Sequence, residues 1–123
     1  MEQMEQLKLL MNYTIFHIGI YLTLSGLMVS LLGVDAFKKR TEAMVPYLVV
    51  ALICFMVAGI FGGLIASNIP YFERFADFTQ AWIGPWFATK LLPASFCMTI
   101  EHSAFWLGLI VFLFGFWRTG RQL

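Results

Sequence analysis

Charge is what this sequence has least of. Eight Lys and Arg with seven Asp and Glu make 12% of 123 residues and leave a net +1, where a soluble domain carries about 25% charged residues. So small a balance excludes the basic excess that neutralises nucleic-acid phosphates, and nucleic acid is not an expected partner. Cysteine is nearly missing too. Cys54 and Cys97 stand singly in apolar runs, with no C-x-x-C and no C-x-x-C-H attachment motif, and read as small buried apolar residues. Also missing are a Walker loop, a glycine-rich dinucleotide turn, an H-E-x-x-H zinc motif and any nucleophile–base–orienter set. The chain is therefore not expected to be an enzyme on its own, although it suits a subunit of a membrane oxidoreductase.

What is present is apolar: 60% of residues are hydrophobic and 17% aromatic. Leu9 to Val34 carries no charge and is interrupted only by His17, longer than the ~20 residues that cross ~30 Å of hydrocarbon. Its acidic head, MEQMEQLK, lacks the basic region and small-residue cleavage site of a signal peptide, so this run is read as retained. DAFKKRTE, Asp35 to Glu42, is a polar turn, and Pro46 to Ser67 is a second uncharged run opened by a proline suited to a first helical turn. The last run, Pro93 to Trp117, ends against Arg118 and Arg121.

Between the second and third runs, residues 68–92 mix Glu73, Arg74, Asp77 and Lys90 with Tyr71, Phe72, Phe75, Phe78, Trp82, Trp86 and Phe87 around Pro85. Aromatic rings of this kind concentrate at headgroup level. The expected fold is thus an all-α integral membrane protein, one membrane domain over 1–123. It has three transmembrane helices (about 9–34, 46–67 and 93–117) and an interfacial or re-entrant aromatic-rich segment, with short helices near Tyr71–Phe78 and Trp82–Leu91. The alternative is a four-helix membrane bundle. Three spans put Lys38, Lys39, Arg40, Arg118 and Arg121 on one side and Lys8, Arg74 and Lys90 on the other. Positive charge then places the N-terminus outside and the C-terminus in the cytoplasm, as in a bacterial inner membrane.

Residues three or four apart share a helix face. Gly19, Thr23, Gly26, Ser30 and Gly33 form a small-residue stripe on the first span. Ala58, Gly62 and Ala66, beside Gly59 and Gly63, form another on the second. Such stripes let helices approach closely, so the expected partners, besides the lipid bilayer, are other membrane subunits or copies of the chain on the glycine-rich faces of helices 1 and 2. On the third span Cys97, Glu101, Ala104, Gly108 and Gly115 share the small face, which turns Glu101 into protein.

Glu101, His102 and His17 are the only acid or imidazole groups inside any span. At about 1.5 Å per residue, His17 lies about 27 Å of helix before Asp35 and His102 about 24 Å before Arg118. With the first and third spans parallel, both reach a similar depth in the outer leaflet. Ionisable groups in a membrane are costly and point to function. Neutral imidazole ligates metals, so His17, Glu101 and His102 are candidate ligands of copper, zinc or iron. His17 and His102, with Tyr13, Tyr21 and Trp106 around them, are equally candidates for a haem b, as axial ligands, or for a quinone pocket. The expected function is a small subunit of a respiratory-type or other membrane redox complex. The alternatives are a homo-oligomeric proton- or ion-coupled transporter or channel using Glu101, and a purely structural accessory subunit.

Overall fold

The computed structural model describes residues 2–32, 38–85 and 90–122, apart from the side chains of 31, 32, 38–41, 121 and 122. Three long helices dominate: α1 Gln3–Leu32, α2 Lys38–Asn68 and α4 Ala94–Gln122. Each is long and apolar enough to cross a membrane, over Gln3–Ser30, Glu42–Tyr71 and Ala94–Gly120. Their outer surfaces suit that setting, because Phe16, Leu22 and Met56 are each 64% exposed, a pattern that water penalises and lipid does not.

Two helices begin earlier than the apolar runs predict. α1 extends through the polar head to Gln3, whose Oε1 accepts a hydrogen bond from the Ala76 amide at 2.7 Å. α2 starts at Lys38, so the expected turn is helical from Lys38 to Glu42, while Asp35–Phe37 fall outside the described residues. Pro46 is thus inside α2 rather than in its first turn. It has no N–H for the Glu42 carbonyl, and Glu42 is exposed, so that carbonyl is not trapped in the core.

The segment from Asn68 to Leu92 holds no fourth long helix among its described residues. A 3₁₀ turn, Ile69–Tyr71, leads to the short helix α3, Phe75–Gln80, and then to a two-residue ladder. In it β1, Trp82–Ile83, pairs antiparallel with β2, Leu92–Pro93, with Trp82 opposite Pro93. The expected helix from Trp82 is therefore replaced by extended chain at both its ends, and Trp86 and Phe87 fall outside the described residues. The Asn68 amide Nδ2 ties this cap to α2 by donating to the carbonyls of Leu64 at 2.7 Å and Gly84 at 2.9 Å. Phe78 and Ile83 seat it on the helix ends, both buried with Leu7, Ile65 and Cys97.

α2 and α4 pack along their length, with α1 against α2. Small residues decide where. A Cβ on Gly108 would meet Phe55 Cε1 at 2.8 Å and one on Gly115 would meet Tyr47 Cβ at 2.5 Å, so α4 approaches α2 through the face that carries its glycines. The Ala58–Gly62 stripe of α2 is likewise buried. Among the described residues, the glycine stripe of α1 takes no part in packing within the chain. Gly19, Thr23, Gly26 and Ser30 are exposed, with nothing near the two glycines, while Leu7, Leu10, Thr14, His17, Tyr21 and Met28 face inward. Within the chain α1 packs through its polar and aromatic stripe. Two apolar clusters result, one under the cap and one around Phe55, Phe105 and Phe112, and a thin polar layer lies between them.

Candidate functional site

That polar layer contains the ionisable residues expected at matching depth. His17 comes from α1, Glu101 and His102 from α4, and the two imidazole centroids are 5.4 Å apart. Glu101 sits on the small inward face of α4 with no solvent exposure, and His17 is 2% exposed. Glu101 Oε1 and His17 Nδ1 share a hydrogen bond at 3.0 Å. One proton makes this bond in either assignment, with imidazole N–H donating to carboxylate or carboxylic O–H donating to imidazole.

The other carboxylate oxygen, Oε2, lies 2.9 Å from Nδ1 of His102. It makes no hydrogen bond there, because the Nδ1–H donates instead to the Met98 carbonyl, also 2.9 Å away. A carbonyl only accepts, so this contact fixes the tautomer: Nδ1 carries the hydrogen and Nε2 carries the lone pair. One carboxylate therefore sits between two imidazoles, one sealed and one whose side chain is 35% exposed.

Aromatic rings hold the imidazoles. Phe105 stacks on His17 at 4.0 Å and 6°, Tyr13 leans on it at 4.1 Å, and Tyr13 also stacks on His102 at 5.2 Å and 22°. The two imidazoles meet edge to face at 65° around one carboxylate, with Phe105 and Tyr13 on their faces. Tyr21 lies deeper, 4% exposed, with its hydroxyl 3.1 Å from where a Gly62 Cβ would be. Trp106, 49% exposed, meets Phe105 edge to face at 5.3 Å.

What the sequence does not show is how the polar groups around Glu101 are paired. Thr14 Oγ1, Tyr21 OH and Glu101 Oε2 are all buried without a hydrogen-bond partner, and a Cβ on Gly62 would contact all three of their side chains within 3.6 Å. Gly62 is what lets α2 close over the layer. Thr14 is three residues before His17 and shares its helix face, but nothing in the sequence marks its hydroxyl as unpaired. His102 opens into a groove of about 480 Å³ between α1, α3 and α4, lined by Gln6, Leu9, Leu10, Tyr13, Phe75 and Met98. Gln6 Oε1 is a further buried acceptor without a partner. Comparison with protein-family models, curated proteins and solved structures finds no match.

Proposed function

We propose that the chain is a small integral membrane subunit of a redox assembly, and that the groove at His102 binds the hydroquinone form of a membrane-soluble quinone. The observation that carries this reading is the carboxylate of Glu101 set between a sealed imidazole and one that opens into an apolar groove. Apolar walls and the stacked pair Tyr13–His102 suit a flat ring with a hydrocarbon tail. Nε2 of His102 accepts, so it suits a ligand that donates through a hydroxyl; an oxidised quinone, which only accepts, has to turn to the Tyr13 hydroxyl instead. When a one-electron acceptor in a neighbouring subunit oxidises the ring, the O–H bond breaks and its proton goes to Nε2. The imidazolium then holds its Nδ1 proton 2.9 Å from the unpaired Oε2 of Glu101, which stabilises the new positive charge.

A transporter that carries protons on Glu101 has less support. Beyond the polar layer the described interior is Tyr21, Phe55, Phe105, Phe112, Met28 and Met44, which offers a proton no continuous route. The cap, with Tyr71 60% and Trp82 55% exposed, suits the interfacial position its aromatics predict. The exposed Gly19–Ser30 face is where a neighbouring subunit would pack.

Equilibrium dialysis of the full chain in detergent against duroquinol under argon tests the reading. Binding should saturate at one molecule per chain and be about tenfold weaker for duroquinone, the worth of one hydrogen bond. Met98→Trp should fill the groove and abolish it. Uptake that never saturates, or that is unchanged by Met98→Trp, overturns the proposal.

A further inference from the structure

The same three side chains form a ligand set. His17, Glu101 and His102 each offer one donor atom, and these atoms lie within 4.8 Å of one another. Zn–N and Zn–O bonds of about 2.0–2.2 Å separate the ligands of a tetrahedral centre by about 3.4 Å. The His17 nitrogen and its carboxylate oxygen, at 3.0 Å, already have nearly that spacing, so the main adjustment falls on the partly exposed His102, whose Nδ1, 2.9 Å from Oε2, has to exchange its bond to the Met98 carbonyl for the ion. His17 is held by Phe105 and Tyr13 whether or not an ion is there. A second observation points the same way. Oε2 of Glu101 is fully buried with no hydrogen-bond partner, a state that buried carboxylate oxygens rarely keep and that a cation relieves. Two nitrogens and a carboxylate select the zinc, copper and iron class over magnesium or calcium, which take oxygen ligands.

We propose that His17, Glu101 and His102 bind a divalent transition-metal ion of the zinc class. A neutral imidazole has a single lone-pair nitrogen. Once His102 commits it to a metal, the acceptor facing the groove is lost, so metal and hydroquinone exclude each other. This last consequence rests on the function proposed above; the metal site does not.

The full chain in detergent, stripped with EDTA, is loaded with zinc chloride and desalted. Elemental analysis should then find one zinc per chain, and cobalt(II) in its place should give the visible bands of a low-symmetry nitrogen and oxygen centre. Diethylpyrocarbonate should modify His102 in the stripped protein and spare it in the loaded one. His102→Ala and Glu101→Gln should each lower zinc affinity by about tenfold or more. Glu101→Gln keeps the shape of the side chain, and circular dichroism checks its helices. Zinc lost on desalting, or kept undiminished by both variants, overturns the site. Duroquinol binding that is equal in stripped and loaded protein overturns the exclusion. If the stripped protein binds no duroquinol, the functional reading falls, while zinc stoichiometry still decides the metal site.

Discussion

Thr14 shows how unusual the polar layer is at the scale of one residue. Thr23, Ser30, Thr99 and Thr119 each return their hydroxyl to the carbonyl four residues earlier, at 2.7–3.0 Å, the usual settlement for a hydroxyl in an apolar helix. Thr14 does not, and it is fully buried. An unpaired hydroxyl costs about 1–3 kcal/mol in desolvation, so Thr14→Val, of nearly the same shape, should raise the melting temperature in detergent. A lower melting temperature would mean that the hydroxyl has a partner, such as a bound water. Glu101 and the histidines were legible at this scale. The small residues around Glu101 told which way it points, and the helical rise told that His17 and His102 share a depth. That one carboxylate sits between both rings was not legible, because it depends on how α1 is rotated, and a small-residue stripe such as Gly19–Ser30 does not tell contact within the chain from contact between chains.

Among the elements, adjacent glycines of α2 have opposite roles. A Cβ on Gly62 meets Tyr21, Glu101 and Thr14, whereas one on Gly63 meets nothing within 4 Å. Gly62→Leu should therefore part α1 from α2 and α4, a loss of about 1–3 kcal/mol as in an overfilled core. It should lower the melting temperature, while Gly63→Leu leaves it unchanged. Equal effects in the thermal melts of the two variants would contradict this packing. The sequence pattern weights both positions alike, because glycine spacing shows that close approach is possible and not which flank is approached. The three long helices were legible from uncharged length alone. The ladder of Trp82–Ile83 with Leu92–Pro93 was not, since two-residue strands leave no periodicity to read.

For the whole molecule, α2 runs antiparallel to both α4 and α1, which are therefore parallel: Gly62, Phe55 and Tyr47 meet Glu101, Gly108 and Gly115 in turn, while Gly62 and Gly59 meet Thr14 and Tyr21. If all three cross a bilayer, the two chain ends lie on opposite sides, and the lysines and arginines at 38–40, 118 and 121 share one of them. A reporter active only in the cytoplasm should give signal when fused after Leu123 and none when fused before Met1; the reverse result would invert the orientation. The groove beside His102 lies between α1, α3 and α4, and its lining is apolar except for Gln6, His102 and the Tyr13 hydroxyl. Phe55, Phe105 and Phe112 close the interior below the polar layer. If the groove opens to the hydrocarbon of such a bilayer, any molecule lodged there arrives and departs sideways through the lipid phase. The concentration that governs occupancy is then its mole fraction among lipids rather than its molarity in the surrounding water, and diluting the protein into more membrane empties the groove even when the total amount of ligand is unchanged.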